Sequence, residues 1–357
     1  LAGATYALVG ADGAVDYSTV RFPQSIERCA ACHGGAHADL AATRPAPATC
    51  LSCHDRTSFV DPPPAGFTVH RGGAQPPDVN CAACHTPTGP LPSVAASHLD
   101  PSFDPALPRV ALEIVDVPPA APGTPPSLQL RVLVDGAPRD ILASPLAALR
   151  ATVAGPNGDY RLSAGALPPA MPYQQVTIQG TGASGTLIAV DAANGVFSYT
   201  FPATAAILAT ATGSWTLGLE GTIGTTATTR SVAFSPVRAF AVTDPAPVPR
   251  RTVVTAARCD ACHLDLTYHA SRRNPQYCAL CHGPDKANDQ RVARFEGATV
   301  LAESVDLRVM IHKIHAGTSL SQPYVLGGNP TPSTANPAGT AIDFGAVRYP
   351  RSPARCG

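Results

Sequence analysis

Ten of the eleven cysteines in this 357-residue chain lie in five copies of the motif Cys-x-x-Cys-His. Two thiols at this spacing can bond to the two vinyl groups on one side of a porphyrin, and the histidine that follows then lies under the ring, where it ligates the iron. The motif is the attachment signature of c-type haem. Structural zinc and disulfide bonds are other uses of paired cysteines, but neither accounts for a histidine after every pair. The sequence therefore predicts five covalently attached haem c groups. The motif residues are Cys29, Cys32 and His33; Cys50, Cys53 and His54; Cys81, Cys84 and His85; Cys259, Cys262 and His263; and Cys278, Cys281 and His282.

Each haem iron also needs a sixth ligand or an open face, and six histidines lie outside the motifs. His312 and His315 are three positions apart, which places both imidazoles on one side of a helical turn, where they could serve two neighbouring haems. Methionine ligation is disfavoured because the chain has only two methionines. We therefore expect near-complete bis-histidine coordination. The six histidines are His37, His70, His98, His269, His312 and His315.

The elements that must position these residues fall into three segments. No cysteine or histidine lies between His98 and Cys259, and that interval contains eight short apolar or alternating runs separated by Gly, Pro, Asn or Asp. This spacing is typical of an antiparallel sandwich or Greek-key barrel, with Trp215 in its core. The predicted strands are 110–115, 128–134, 146–153, 175–179, 186–190, 196–201, 215–220 and 231–234.

The predicted domains are therefore a three-haem segment (1–104), a β-domain (105–245) and a two-haem segment (246–357). The fold class is that of multihaem c-type cytochrome domains, with little regular structure and short helices, flanking an all-β Greek-key or Ig-like sandwich or split barrel. Helical turns are expected around the attachment motifs and near Leu307–Ile314. With so little polypeptide per cofactor, the haem segments should fold around the porphyrins and be largely disordered without them.

A long-range repeat indicates how the chain is organised. Residues 20–29 match residues 347–356 at an offset of 327, and Asp16-Tyr17 and Asp343-Phe344 keep the same offset. Cys356 is therefore predicted to be the first cysteine of a sixth, truncated attachment motif; a free or disulfide-bonded thiol is the alternative. The chain is interpreted as a repeat unit of a longer protein, spanning slightly more than one period.

Charge and chemistry limit the possible partners and compartment. Lys and Arg together number 25, as do Asp and Glu, so the chain lacks the excess of positive charge that a nucleic-acid partner requires. Thioether attachment of haem takes place outside the cytoplasm. We therefore predict an exported protein with no nucleic-acid partner.

Several of these motifs resemble the outer-surface decahaem c-type cytochromes of metal-reducing bacteria, the OmcA/MtrC type. The first shared feature is the segment Met-Ile-His-Lys-Ile-His-Ala-Gly at Met310–Gly317. The second is an aromatic residue followed by proline shortly before a motif cysteine, as in Phe22-Pro23 before Cys29 and Tyr349-Pro350 before Cys356. The third is the segment His70-Arg71-Gly72-Gly73. An acidic residue, Asp55, also follows the motif that ends at His54. Chains of this family alternate Greek-key β-domains with pentahaem domains. The β-domain here has no cysteine, unlike many in the family, so it can form no disulfide.

The resemblance implies the remaining assignments. It suggests His70, His98, His269, His312 and His315 as distal iron ligands and leaves His37 as the surplus histidine. In module order, Cys259 and Cys278 begin the motifs of haems one and two, whereas Cys29, Cys50 and Cys81 begin those of haems three to five of the preceding module. A pentahaem cluster would then be divided between the two ends of this chain.

Function follows from the expected coordination. Iron with two histidine ligands has no vacant position for a substrate, so its natural role is outer-sphere electron transfer. We predict an electron conduit at the outer-membrane surface or outside the cell, passing electrons to minerals, electrodes or partner cytochromes, including other copies of itself. One alternative is a multihaem reductase of a small oxyanion, which needs a haem with an open face and is often marked by a Lys-bearing attachment motif; none is present. A tandem or filamentous array spaced by β-domains is a further hypothesis.

Overall fold

The computed structural model describes residues 6–11, 13–18, 20–29, 34–37, 39–86, 88–99, 104, 106–160, 173–226, 229–284, 289–296, 299–326 and 342–349. The chain forms two compact units: Leu1–Ser18 with Phe22–Asp104, and Thr19–Arg21 with Pro105–Gly357. Within the described ranges, no helix is long and apolar enough to cross a membrane. Three predicted site residues, Cys32, His33 and Cys356, lie outside the described residues.

The first unit consists of short elements joined by turns. Two antiparallel strands form a hairpin near its start, and a two-stranded parallel pair lies between the second and third attachment motifs. None of its described Val, Leu, Ile, Phe or Tyr side chains is buried. The unit therefore has no apolar protein core among these residues. Its elements are β1 (Ala7–Gly10), β2 (Gly13–Asp16), α1 (Leu40–Thr43), α2 (Pro47–Leu51), β3 (Thr57–Ser58), β4 (Thr68–Val69) and α3 (Val94–Ser97), with 3-10 turns at Gly35–His37 and Cys81–Ala83.

The second unit contains a sandwich of two five-stranded antiparallel sheets. In chain order, the strands are β5 (Val110–Asp116), β6 (Ser127–Val134), β7 (Ala137–Pro138), β8 (Ala148–Ala154), β9 (Gln174–Gln179), β10 (Thr186–Asp191), β11 (Val196–Thr200), β12 (Ser214–Ile223), β13 (Ser231–Val232) and β14 (Val237–Ala241). Successive hairpins alternate between the two sheets. The first sheet has the order β10-β11-β6-β5, and β7 pairs with β6. The second sheet has the order β13-β12-β8-β9, and β14 also pairs with β12. This arrangement confirms the prediction of an all-β domain.

The sandwich core lies between the two sheets and follows from alternation along the strands. In β6 every second side chain, from Leu128 to Val132, is buried, as expected when one face of a strand points into a core. Trp215 is 2% exposed and lies so close to Gly155 that a Cβ there would be 2.2 Å from its ring. The eight predicted strand segments are all present. The structure adds β7 and β14, which the sequence analysis did not predict.

Beyond the sandwich, the second unit contains three helices and two hairpins. The helices include both C-terminal attachment motifs and the region near Leu307, where helical turns were expected. The sequence analysis did not predict the antiparallel pair formed by Asp289–Glu296 and Thr299–Glu303. The elements are α4 (Ala256–His263), α5 (Pro275–Cys281), β15 (Asp289–Glu296), β16 (Thr299–Glu303), α6 (Leu307–Ala316), β17 (Val325–Leu326) and β18 (Ile342–Asp343), with 3-10 turns at Gly317–Ser319 and Phe344–Ala346.

Strand β12 is buried on both faces because α5 covers its outer side. A Cβ at Gly218 would lie 2.6 Å from the Tyr277 ring and 2.9 Å from Leu280, so only glycine allows the helix to approach this closely. Tyr277 and Leu280 are fully buried and form a second apolar cluster with Ala154 and Tyr160 of the β-domain. The helix that carries the attachment motif at Cys278 is therefore packed directly on the sandwich.

Candidate haem sites

Four pairs of histidine rings lie close together in the described residues, and each pair joins a motif histidine to a histidine outside the motifs. The ring centroids are 5.9–6.4 Å apart in all four. Two pairs lie in the first unit and two in the second. The pairs are His54 with His98 at 6.1 Å, His85 with His70 at 6.4 Å, His263 with His315 at 5.9 Å, and His282 with His269 at 6.2 Å.

These separations fit a single metal ion held between two imidazoles. A metal–imidazole bond is about 2 Å long, and the ligating nitrogen lies roughly 1.1 Å from its ring centroid, so two rings on opposite sides of one ion have centroids about 6 Å apart. The observed distances agree with that value. The histidines therefore have the spacing that axial ligands of a haem iron require.

Hydrogen bonds at the second ring nitrogen support the same role. In five histidines, Nδ1–H donates to a backbone carbonyl oxygen, which makes Nε2 the nitrogen that could bind a metal. Two of these histidines belong to motifs and three do not. The bonds join His85 to Pro92 at 2.9 Å, His282 to Val305 at 2.8 Å, His98 to Val94 at 2.8 Å, His312 to Arg308 at 2.5 Å and His315 to Ile311 at 2.7 Å.

His70 differs from these five. Its Nδ1 accepts a hydrogen bond from the Gly72 amide at 3.2 Å, and its ring packs against Phe59 at a centroid distance of 4.9 Å. In this arrangement the ring hydrogen is on Nε2, so iron binding through Nε2 would require the hydrogen to move to Nδ1 and the contact with Gly72 to change. The backbone of the His-x-Gly-Gly segment thus holds the ring beside His85 through a different contact.

In the first unit, short capped elements present the ligands. His98 follows α3, whose first turn is capped by the Ser93 hydroxyl accepting from the Ala96 amide at 3.1 Å. The 3-10 turn of the third motif is capped in the same way by the Asn80 side chain, which accepts from Ala82. Such caps satisfy amides that a short helix leaves unpaired. Local sequence therefore fixes these turns without help from a large core.

The first cysteines of consecutive motifs lie together in this unit. Burial is the main cause that raises the pKa of the Cys50 thiol, and the charge of Cys81 and a hydrogen bond with its thiol raise it further. Because these two thiols belong to different motifs, two attachment sites are adjacent. The Cys50 thiol therefore remains protonated near neutral pH.

The second unit presents its motifs on better-formed helices. Helix α4 contains Cys259, Cys262 and His263, and α5 begins with Pro275 after the N-cap Asn274, whose side chain accepts from the Gln276 amide. Burial raises the pKa of the Cys278 thiol on α5 to about 11, with a smaller contribution from the nearby charge of Cys259. The two motifs of this unit are therefore also close neighbours.

His269 lies on a tight turn whose ends are joined by two hydrogen bonds of 3.0 Å between Tyr268 and Arg272. Its φ of +51° and that of Ala270, +66°, are left-handed, a conformation that non-glycine residues adopt only when their surroundings impose it. The ring is exposed at the surface, yet desolvation by the adjacent protein, followed by the charge of Arg272, lowers its pKa. The imidazole is therefore neutral near pH 7, the form that ligates metals.

Helix α6 carries the two remaining predicted ligands. Its N-cap Asp306 accepts from the Arg308 amide at 2.9 Å. His315 faces His263 and also stacks on Tyr349, with centroids 6.2 Å apart. His312 has its Nδ1 bonded, but no described histidine faces its ring. His37, in an exposed 3-10 turn, likewise has no facing histidine within the described ranges.

The sequence analysis missed a buried ion pair close to the predicted ligand His269. Glu220 on β12 is 1% exposed and contacts both Arg150 and Arg272. One signal was available: a single acidic residue ends the otherwise uncharged run Trp215–Leu219. An isolated charge beside such a run indicates either the end of a strand or a buried ion pair. The predicted strand 215–220 corresponds to the first of these interpretations, whereas the structure shows the second.

Comparison with known proteins bears on the family and the fold. Residues 251–356 match the family described as outer membrane cytochrome MtrC/MtrF-like, domains II/IV. Among solved structures, the chain is similar to the outer membrane decaheme cytochrome OmcA, with 19% identity and a TM-score of 0.49, over 89% of this chain and 46% of that chain. The chain thus spans less than half of that cytochrome's length. No curated protein sequence matches it.

The family match covers both C-terminal attachment motifs and helix α6. Residues 251–356 are therefore similar to domains II/IV of that family of outer membrane cytochromes, in agreement with the resemblance that the sequence motifs indicated.

Proposed function

We propose that this chain is an extracellular electron-transfer conduit in which five covalently attached c-type haems are held by paired histidines. The observation that carries the proposal is the set of four ring pairs, each of one motif and one other histidine, at 5.9–6.4 Å. The fifth haem is assigned to Cys29, Cys32 and His33 from the sequence, and His312 is proposed as a further distal ligand.

Haem iron supplies a one-electron carrier when bound. The paired histidines would hold the iron through imidazole nitrogens, and Nδ1 hydrogen bonds to backbone carbonyls orient four of these rings. Two imidazole ligands would leave no coordination position for a substrate. This arrangement favours electron transfer over the reduction of a bound oxyanion. The adjacency of the Cys50 and Cys81 thiols supports close spacing of neighbouring haems.

The acceptors that fit such a surface chain are partner redox proteins, minerals or electrodes, together with other copies of the same unit. Two hairpins support repetition of the unit. In each, the residue after the second strand donates its amide to the carbonyl of the residue before the first: Tyr17 to Tyr6 at 2.7 Å and Phe344 to Tyr324 at 2.8 Å. This shared hydrogen bond, with Tyr17 and Phe344 at the offset of 327, supports the proposal that β1–β2 and β17–β18 are counterparts.

The counterparts differ in burial. Tyr324 is fully buried beside α6, and its hydroxyl donates to the Ser304 carbonyl at 2.6 Å, whereas Tyr6 is 59% exposed. We propose that α6 of another copy of this unit covers Tyr6 in a head-to-tail array, so that haems one and two of one copy adjoin haems three to five of the next. Sequencing and imaging the native protein test this: the period of 327 residues should recur, and isolated units with widely separated haem groups would refute it.

Alanine variants of the haem-loaded chain test the coordination. Replacement of His98, His70, His269 or His315 should each convert one haem to a five-coordinate form that binds carbon monoxide, because only one ligand is lost. Replacement of His37 is the matched control and should leave every haem low-spin. If His37→Ala exposes a haem and His70→Ala does not, the assignment is wrong.

A further inference from the structure

The outer face of the second sheet carries a buried polar network outside the iron ligands already described. Glu220 on β12 lies beside Arg150 on β8, with an Nη1–Oε1 distance of 3.3 Å, and its other oxygen is 2.6 Å from Nε of Arg272. The Glu220 side chain is 1% exposed, against 18% for Arg272 and 37% for Arg150. A carboxylate buried this completely is stable only when it is paired.

Arg272 connects this carboxylate to the loop that carries His269. Its backbone closes the 268–272 turn through the two hydrogen bonds with Tyr268, while its guanidinium holds Glu220. Burial alone would lower the pKa of Arg272, but the negative charge of Glu220 and its hydrogen bond raise it above the usual value. The turn is therefore tied to the sheet by a charge-assisted hydrogen bond, which is stronger than a neutral one.

The same network reaches the helix on the other side of this haem site. Arg272 donates to Gln175 at 3.4 Å, Gln175 donates to the Thr152 hydroxyl at 3.0 Å, and Thr152 shares a 2.7 Å hydrogen bond with the hydroxyl of Tyr277 on α5. Helix α5 leads directly into His282. Both rings of the His269–His282 pair are thus supported by the same patch of β-sheet.

We propose that Glu220 is a positioning residue that holds His269 opposite His282 by fixing Arg272. This proposal rests on the proposed function, because it takes His269 and His282 as the two ligands of one haem. It makes the β-domain the support that sets the geometry of that haem. Loss of the carboxylate removes the anchor of the turn and leaves two arginine charges without their partner near the iron. Uncompensated positive charge favours the reduced state, so the potential of that haem should rise.

The test uses the haem-loaded chain with Glu220→Gln, which keeps the side-chain shape and removes the charge. Glu113→Gln is the matched control, because Glu113 pairs with Arg131 across the first sheet, at an exposed position and a distance of 3.7 Å. We expect carbon monoxide to bind up to one haem in five in Glu220→Gln and none in the control. In a potentiometric titration, one haem should shift to a higher potential while the other four are unchanged.

Two further variants keep the outcome decisive. In an Arg272→Gln background, Glu220→Gln should add nothing, because the carboxylate acts through that arginine. If His269→Ala exposes one haem but Glu220→Gln changes neither carbon monoxide binding nor any potential, the positioning role is refuted. Loss of several haems in Glu220→Gln also refutes it, because the residue would then support the fold as a whole. If His269→Ala itself exposes no haem, the ligand assignment in the proposed function fails instead.

Discussion

The two haem-bearing regions place their histidines at the same spacing but support them differently. In the first unit the rings of His54, His70, His85 and His98 are presented by short capped turns, and no large apolar side chain of the described residues is buried. In the second unit α5 lies on a β-sandwich, with Tyr277 and Leu280 completely buried. Ligand geometry can therefore be built either on local turns and the cofactor or on a preformed protein core.

The largest difference should appear when the haems are absent. A chain expressed without haem attachment should lose almost all amide protection in the first unit, because the porphyrins supply its missing apolar core. The sandwich should keep its protection, since its core between the two sheets is made of protein side chains. Hydrogen exchange followed by mass spectrometry measures both regions in one experiment. Equal protection of the two units without haem would contradict the comparison.

The sequence predicted much of this arrangement because its strongest signals are covalent or periodic. The attachment motifs specify the proximal ligands directly, and alternation such as that of Leu128, Leu130 and Val132 specifies the strands. The pairing of each distal histidine with its partner depends on long-range packing, which spacing alone does not contain. The resemblance, and not the residues, suggested which histidines were distal.

Other features were not predicted because local sequence patterns do not specify them. The hairpin β15–β16 has no marked alternation and follows an attachment motif, so it was not predicted. The packing of α5 on β12 depends on the absence of a side chain at Gly218, and a single glycine in a strand has several explanations. The contact between Glu220 and Arg272 spans 52 residues, and no local pattern indicates it.

A core substitution should give the next largest effect. Leu280→Ala removes a fully buried side chain between α5 and the sandwich, and such changes cost about 2–5 kcal/mol. Leu40→Ala in α1 of the first unit is the control, because Leu40 is 43% exposed and exposed substitutions change stability by about 0.5 kcal/mol or less. The opening free energies of α5 and α1, measured by hydrogen exchange in the haem-loaded protein, test the contrast. Similar losses of opening free energy in α5 of Leu280→Ala and in α1 of Leu40→Ala would contradict the expected difference between the two units.

The smallest effect concerns the start of α6. The side-chain hydrogen bond from Arg308 lowers the pKa of Asp306, although partial burial opposes the shift. A carboxylate with a lowered pKa contributes stability that is complete above its unfolded value of about 3.9 and is lost as the pH falls through the lower folded value. Protection of α6 should therefore decline only in strongly acidic solution.

The variant Asp306→Asn keeps a capping side chain but cannot ionise, so it should abolish that pH dependence while α6 remains formed at neutral pH. Asp343→Asn is the control, because Asp343 caps the 3-10 turn at Phe344–Ala346 and not α6. An unchanged pH profile in Asp306→Asn would show that another group is responsible.

The central claim is that paired histidines close both axial positions of every haem. Electron paramagnetic resonance of the oxidised, haem-loaded chain, combined with carbon monoxide titration of the reduced chain, tests it most directly. The account predicts low-spin ferric signals from the haems with both ligands in place and no stoichiometric carbon monoxide binding at the four sites where ring pairs are described. A substantial high-spin ferric signal, or stoichiometric carbon monoxide binding at any of those four sites, would contradict it and favour a reductase.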